Sequence, residues 1–327
     1  MSKIRKINVC TKMVLDNHNV NANEEGNNKE VNGRVAISGQ KLKYMMLSSI
    51  KTLNEKSGGM GYVSNGDGAT GDIVMDLRSD LGGYMITSDK NYSNRRTSPI
   101  SVAYAVSENK SNFFDDLFVR FKMDKKDKKD KKASNETDEK HNKQRINNKT
   151  YSEKDIIGLS FALDCKYLSA SEYFTYSDGR NLSSVMYNHV DEVERLRRVR
   201  MYIDSTKFLE GWANQSRNAI VNTPIEVFIS FNTNSEFINY YNLNNTQRAS
   251  LLKRLDNDGI RYFIGSDDSE YSVSDAYNDA LLYLNSVEMV GSDNLVKTQA
   301  EVDLEFTEPV AENGKKKKAD TKEEVVS

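Results

Sequence analysis

The chain has 327 residues, of which 37% are hydrophobic and 29% are charged, and its formal net charge is -2. This hydrophobic content supports a sizeable core, and the near-balance of charge excludes a protein that binds nucleic acid through an overall basic surface. Neither Cys10 nor Cys165 lies in a disulfide or zinc-ligand spacing. No apolar run is long enough to span a membrane and no export signal is recognisable, so we expect a cytoplasmic protein with no membrane partner.

The chain starts with an alternating pattern of apolar and polar residues that predicts a half-buried strand over residues 4–15. Residues 16–32 are rich in Asn and Gly and nearly free of large apolar side chains, so they are predicted to form a loop. Within this loop the amide of Asn27 suits a contact with a ribose, and a plain solvated loop is the alternative.

The next stretch, Val35–Lys56, joins a short apolar run to a predicted helix with Ser38 as its N-cap. One helical face is apolar and is expected to enter the core; it consists of Leu42, Met45, Met46, Ile50 and Leu53. Lysines lie near the positive end of the helix dipole, which disfavours cations unless an anion compensates. We therefore predict a phosphate site, with solvated surface lysines as the alternative, at Ser38, Gly39, Gln40, Lys41 and Lys43.

A glycine-rich segment follows over residues 57–94. Gly66, Gly68 and Gly71 match the letters of the dinucleotide-binding pattern GxGxxG, but that motif needs a strand before it and a helix after it. Here a loop precedes the glycines and residues 72–77 are predicted to be a strand. We predict a projecting loop or hairpin and no cofactor.

The segment NRRTSPISVAYAV, residues 94–106, alternates after Pro99 and predicts a strand there. Arg95 and Arg96 precede that strand, together with hydroxyl side chains. Guanidinium and hydroxyl donors in this arrangement suit a phosphate backbone, and a solvated turn is the alternative.

The rest of the chain is predicted to alternate strands and helices. Strands are expected over residues 156–165, 225–231 and 260–264, and helices around 190–198, within 204–220, around 251–255 and over 273–288. The arginines of the first of these helices, Arg195, Arg197 and Arg198, suit either phosphates or surface ion pairs. Residues 122–149 are dense in mixed charge and, like the tail 310–327, are predicted to be disordered.

This order of elements predicts an α+β fold, with a mostly antiparallel sheet, helices on one side and long loop insertions, as a single domain over residues 1–309. Catalytic patterns are thin. Only three histidines are present, and two of them, His18 and His141, fall in segments predicted to be flexible. Ser38 and Lys41 spell SxxK, and residues 292–294 spell SDN, but the third acyl-transfer motif, KTG, is missing. We predict no catalytic residues, no metal and no cofactor.

The EEGNN loop, VAISGQKLKYMM and NRRTSPISVAYAV together resemble the DevR-type backbone subunit of type I CRISPR Cascade complexes, within the RAMP superfamily. The SGQ-x-LK and R-x-SP pieces are the specific part, and they cover about the first third of the chain. The piece ANQSRNAIVNTP is a weaker match. The aromatic signature of ordinary RNA-recognition motifs is missing from the predicted central strands.

The resemblance implies a modified ferredoxin-like palm, of the type found in RNA-recognition motifs (RRMs), with inserted finger and thumb elements. It also implies copies that stack along one guide RNA (crRNA) beside other Cascade subunits, and no catalysis by this chain. Target DNA would be contacted through the guide duplex. Such a subunit grips phosphates and riboses and leaves the base edges free to pair. The residues expected to do so are Lys41, Lys43, Arg95 and Arg96 as cations, Ser38, Gly39 and Gln40 at the helix end, and Asn27 more weakly. A RAMP-type ribonuclease and a protein-only scaffold are the alternatives.

Overall fold

The structure is a computed structural model that describes residues 3–21, 27–57, 70–88, 92–121, 144–177, 180–213, 219–298 and 300–302. The helices are α1 (Gly39–Lys56), α2 (Leu77–Gly82), α3 (Glu192–Ser205), α4 (Asn245–Asn257) and α5 (Val273–Leu284). The strands are β1 (Lys6–His18), β2 (Glu30–Val31), β3 (Arg34–Ile37), β4 (Tyr84–Ser88), β5 (Tyr92–Arg96), β6 (Ile100–Val102), β7 (Ala105–Val106), β8 (Phe113–Phe121), β9 (Gln144–Asp164), β10 (Ala170–Ser177), β11 (Arg180–Asn188), β12 (Glu226–Asn232) and β13 (Arg261–Ser266).

The central sheet is antiparallel and has the order β13-β12-β1-β9-β6. Val9 of β1 lies opposite Ile229 on one side and Phe161 on the other, so β1 is the middle strand. The first half of β9 pairs instead with β8, which extends the sheet beyond the end of β1. Small antiparallel pairs and a three-stranded unit surround this sheet; they are β4-β5, β10-β11 and β2-β3-β7.

One face of the sheet carries the main hydrophobic core. The buried side chains of alternate β1 residues, such as Val9 and Met13, pack there against α1, α3 and α5. Period-two alternation in the strand and the apolar face of each helix explain this arrangement, because alternate strand residues and one face of each helix point into this core. The predicted α1 and the predicted strands at β1, β9, β12 and β13 are confirmed.

The opposite face of the sheet is also covered, so the expectation of helices on one side only is wrong. Cys10 and Phe228 lie on that face beneath α4 and a short turn of 3-10 helix over residues 240–242. The residues that cover this face lie very close to β9: a Cβ added at Gly158 would lie 2.6 Å from the Cβ of Tyr241. A glycine is therefore needed where this cover crosses β9.

Two local predictions are also wrong. Residues 73–75 form a turn that leads into α2 and not a strand, because the side chain of Asp72 accepts from the backbone N–H of Val74 and Asp76 caps the helix. The predicted helix within 204–220 does not form over residues 206–213; α3 ends at Ser205. Local polar side chains thus overrode the hydrophobic pattern at the first site.

Two segments predicted to be loops contribute to the sheet. β1 continues to His18, whose ring lies 2.8 Å from the Asp155 carboxylate in the interior. Residues 144–149, predicted to be disordered, begin β9 and pair with β8. The remainder of the predicted insertion, the predicted tail 310–327, His141, Gly66 and Gly68 lie outside the described residues. Among the helices that the structure describes, none is long and apolar enough to cross a membrane.

Candidate nucleic-acid interface

The start of α1 is built as the sequence predicts. Ser38 is the N-cap, and its hydroxyl accepts a hydrogen bond of 3.3 Å from the backbone N–H of Lys41. Gly39 lies against β6, since a Cβ there would be 3.2 Å from the Val102 carbonyl oxygen. This glycine therefore serves the packing of helix on strand. Gln40 is exposed and faces a groove.

That groove, which we call the α1 groove, runs along the outer face of α1 and has a volume of about 720 Å³. Its other walls come from α2 and from residues 210–211, which lie across the helix. The lining residues are Gln40, Lys43, Tyr44, Leu47, Ser48, Lys51, Thr52, Glu55, Arg78, Gly82, Gly83, Glu210 and Gly211. Three cations and two carboxylates thus line it. Lys51 and Glu55 lie 3.8 Å apart, and Glu210 accepts a hydrogen bond from Thr52, so both carboxylates already have partners.

Lys43 is the most distinctive cation of the α1 groove. It is half-buried, and it makes no hydrogen bond or ion pair with the residues that the structure describes. Burial lowers the pKa of its ammonium group below the ordinary value. A cation that has lost hydration without gaining a carboxylate favours an anionic ligand.

Lys41 lies beside the groove and is held by the protein itself. Its Nζ donates a hydrogen bond of 2.6 Å to the Gly211 carbonyl oxygen and lies 5.1 Å from the centroid of the Tyr44 ring. Burial also lowers the pKa of Lys41. A carbonyl oxygen and an aromatic face leave the formal charge of the ammonium group in place, so Lys41 still contributes a positive potential at the helix start.

Arg96 does not join this group. Its side chain is only 10% exposed and donates to the Asp80 carboxylate at 2.6 Å, to the Tyr167 carbonyl oxygen at 2.6 Å and to the Ala170 carbonyl oxygen at 2.9 Å. The sequence-based expectation that Arg96 grips phosphates conflicts with these internal bonds. Its backbone packs against Gly83, a residue of the groove wall, because a Cβ at Gly83 would lie 2.7 Å from the Arg96 carbonyl oxygen.

Asp80 is the centre of a buried ionic cluster, which we call the Asp80 cluster and which comprises Asp80, Arg96, Ser169 and Arg198. The Arg198 guanidinium donates to Asp80 at 2.7 Å, and both side chains are fully buried. Burial by itself would raise the pKa of the Asp80 carboxyl, but the two guanidinium charges outweigh it and hold the pKa below the ordinary value. The cluster ties α2, the end of β5 and α3 together beneath one wall of the groove.

Sequence reasoning missed this cluster. Neither of the two roles considered for the arginines of α3, phosphate contact or surface ion pair, applies to Arg195 and Arg198, which are fully buried. Arg197 pairs with Glu194 at 2.6 Å. The helical period was the one sequence signal that could have predicted their burial, since Arg195 and Arg198 share one face of α3 with the apolar Tyr202. Charged side chains are nevertheless usually exposed, so the pattern favoured a surface position.

The remaining predicted residues are placed as follows. The side-chain oxygen of Asn27 accepts from the hydroxyl of Thr150 at 3.0 Å, so the amide ties its loop to β9. Arg95 lies on β5 opposite Met85, and its side chain is outside the described residues. The structure therefore brings Gln40, Lys41 and Lys43 together at the start of α1 and does not bring Asn27 or the Arg96 guanidinium to them.

Catalytic arrangements are not assembled from the candidate motifs. Ser38 caps the helix while Lys41 Nζ binds Gly211, and Asp293 of the SDN triplet pairs with Lys3 at 2.8 Å on the surface. Within the described ranges, no cluster of three or more His, Cys, Asp or Glu side chains could hold a metal ion.

The chain shares its fold with chains of solved CRISPR assemblies. One, from a structure described as a CRISPR RNA-guided surveillance complex, pre-nicking, is 9% identical with a TM-score of 0.52, and the match covers 85% of this chain and 100% of that one. Another, from a CRISPR RNA-guided surveillance complex, is 12% identical with a TM-score of 0.52, covering 85% and 99%.

The family follows from the sequence itself. The model of the CRISPR-associated negative auto-regulator DevR/Csa2 family matches residues 17–221, so the chain belongs to that family. This confirms the resemblance carried by the SGQ-x-LK and R-x-SP pieces. No curated protein matches the chain at a significant level.

Proposed function

We propose that this protein is a backbone subunit of a type I CRISPR effector complex of the Cascade class and that it holds the guide RNA in the α1 groove. The observation that carries the proposal is Lys43, a partly desolvated cation without an acidic partner in the described structure, in a groove that starts at a helix N-terminus. Family membership supplies the identity of the anion, because the family is CRISPR-associated.

The topology supports an RRM-type palm. The order β12-β1-β9-β6, with α1 after β1 and α3 after β9, is the order 4-1-3-2 of a split βαβ fold. In ordinary RRMs the sheet face opposite the helices stacks RNA bases. Here α4 and Tyr241 cover that face, which favours a binding surface elsewhere, on the outer side of α1.

The groove suits a polynucleotide backbone of any sequence. Ammonium groups act as point charges toward phosphates, and amide and hydroxyl side chains such as Gln40, Ser48 and Thr52 suit ribose hydroxyls. Bases gripped only through their backbone keep their edges free to pair with target DNA. Further copies of the chain and other complex subunits are the protein partners, and the cutting of the target belongs to another component.

The test replaces two groove lysines. We expect Lys43→Glu with Lys51→Glu to abolish copurification of RNA while the thermal unfolding midpoint falls only slightly, because the exposed Lys51–Glu55 pair contributes little to stability. In fluorescence anisotropy with single-stranded RNA, the slope of log affinity against log salt should fall by about 0.7 for each phosphate that the variant no longer neutralises. The matched control is Lys154→Glu with Lys253→Glu, which makes the same charge change at exposed positions outside the groove.

Retention of full-length guide RNA by the groove variant would refute the assignment. The same preparations separate the alternative functions. Turnover of labelled RNA in the presence of a divalent metal would favour a ribonuclease, and wild-type protein that purifies with an absorbance ratio free of nucleic acid would favour a protein-only scaffold.

A further inference from the structure

The α1 groove contains an exposed aromatic ring among its cations. Tyr44 is 56% exposed although it lies in a continuous helix between Lys43 and the buried Met45. Large aromatic side chains normally bury most of their surface, because each buries far more apolar area than other residues. The exposed ring in a cationic groove is therefore available to a ligand that packs on it.

The ring is held in place from one side. Lys41 Nζ lies 5.1 Å from its centroid and donates to the Gly211 carbonyl oxygen, so lysine and glycine contact neighbouring parts of the ring. Gly211 has a φ of +75°, and a Cβ there would lie 2.9 Å from Tyr44 Cε1. The glycine thus satisfies a left-handed backbone and leaves room for the ring in its present position.

Stacking is the one base contact that meets both demands of a guide-binding site. Every base has a π-face, so stacking tolerates any sequence, and it leaves the base edge free to pair. We propose that Tyr44 stacks on a base of single-stranded RNA and that the neighbouring lysines hold the phosphates of the same strand. This inference rests on the proposed function and adds a base contact to a site so far described by charge alone.

An RNA strand fits the surroundings of Tyr44 better than a protein partner does. The ring lies within the groove, next to Lys43 and with Lys51 two turns further along α1, whereas the cores of protein interfaces are depleted of lysine. Alternation of ammonium groups with an aromatic face is the arrangement that single-strand binding sites use. A double-stranded ligand would not offer an unstacked base to the ring.

The experiment compares two probes of equal length and charge, an ordinary single-stranded RNA oligomer and an abasic ribose-phosphate oligomer. Wild-type protein is expected to bind the ordinary oligomer more tightly. Tyr44→Leu should weaken that binding roughly tenfold, the usual loss for one stacked base, and leave affinity for the abasic oligomer unchanged. Tyr44→Phe should retain wild-type affinity, because the ring and not the hydroxyl makes the contact.

A second variant keeps the tyrosine and displaces its ring. Gly211→Ala is expected to weaken binding of the ordinary oligomer and spare the abasic one, with folding verified by thermal unfolding. If Tyr44→Leu lowered the affinity for both oligomers equally, or for neither, the stacking proposal would be wrong. It would also be wrong if a protein partner, and not RNA, covered Tyr44. Failure of the proposed function has a different signature, namely that Lys43→Glu changes the affinity for neither oligomer.

Discussion

At the scale of one residue, Lys43 combines a stability cost with the binding role that we propose for it. Burial lowers its pKa, so the folded protein holds this proton less tightly than the unfolded chain does. The charged form is therefore destabilising at neutral pH, and that cost fades as the pH rises through the lowered pKa. Residues that bind ligands often show this opposition between stability and function.

Replacement of Lys43 by an uncharged residue of similar length should separate the two effects. We expect Lys43→Met to leave the free energy of unfolding at neutral pH unchanged or higher, while affinity for single-stranded RNA falls by about tenfold, the loss typical of a hydrogen bond to a charged group. Urea unfolding and fluorescence anisotropy measure the two quantities. Lys43→Arg is the control that keeps the charge. A parallel loss of stability and affinity would assign Lys43 to packing.

The Asp80 cluster predicts a pH dependence. The folded-state pKa of Asp80 is below its ordinary value of 3.8, so its stabilising contribution is fully present above that pH and is lost as the pH falls through the folded-state value. Asp80→Asn should lower the free energy of unfolding at neutral pH by about 3–5 kcal/mol, because it leaves the buried Arg96 without a carboxylate partner and Arg198 with Glu194 alone.

The difference between wild type and Asp80→Asn is expected to shrink as the pH falls from 3.8 through the lower folded-state pKa, because the unfolded chain takes up a proton at Asp80 before the folded protein does; thermal unfolding across the acid range measures it. Ser48→Ala, a change at a partly buried position of α1 outside the Asp80 cluster, is the control and should show no such convergence. A gap between the two proteins that stays constant with pH would show that Asp80 acts through its shape and not its charge.

The residues of the site were only partly predictable. Ser38 as N-cap and the lysines at the helix start follow from local sequence, since capping and helix dipole are properties of consecutive residues. The internal use of Arg96 did not follow, because its partner Asp80 lies on another element and its carbonyl acceptors on a third. The sequence around an arginine does not indicate whether its guanidinium will be exposed to solvent or paired with a buried carboxylate.

At the scale of elements, α1 combines core packing with the proposed RNA-binding surface. Its inner face enters the core as the apolar pattern predicts, although Leu53 is only partly buried and Leu47 and Asn54 are buried as well. Its first turn contains no acidic residue. The first turn of α4 lacks one as well, whereas α2, α3 and α5 each have a carboxylate there. At α1 an anionic ligand would supply the favourable charge that these carboxylates supply.

A carboxylate placed at the start of α1 tests this interpretation. Ser38→Asp keeps a good N-cap and adds a favourable charge at the helix N-terminus, so the free energy of unfolding should stay the same or rise by up to about 1 kcal/mol. RNA affinity should fall, because the new carboxylate repels phosphate. Ser38→Ala is the counterpart and should cost about 1 kcal/mol of stability with a smaller effect on RNA.

Both quantities come from denaturant unfolding and RNA titration of the same preparations. If Ser38→Asp bound RNA as well as wild type does, the helix start would have to be dropped from the site, and the lysines further along α1 would remain.

At the scale of the whole molecule, the hydrophobic cores of the described residues lie on the two faces of the central sheet. In the sequence, residues 122–143 connect β8 to β9. Phe121 and Gln144 are paired across the end of that hairpin. We expect replacement of residues 122–143 by a four-residue turn to leave the fold intact and to raise the free energy of unfolding by about 1 kcal/mol, because a shorter loop costs less closure entropy.

Denaturant unfolding tests this expectation, and an unchanged dependence of stability on denaturant would show that the buried surface is preserved. The control replaces the same segment by a Gly-Ser linker of equal length, which should keep wild-type stability. A large loss of stability in the short-turn variant would mean that the charged segment contributes to the fold.

The sequence by itself determined the antiparallel α+β class, the central strands, the α1 start and the CRISPR-associated family, because alternation, capping and short motifs are encoded in neighbouring residues. Only the tertiary structure decided that α4 covers the second face of the sheet, that Arg96 and Arg198 enclose Asp80, and that Tyr44 is exposed beside Lys41 and Lys43. These features depend on which distant segments meet. The free energy of a charged or aromatic side chain is set by those neighbours and not by its position in the chain.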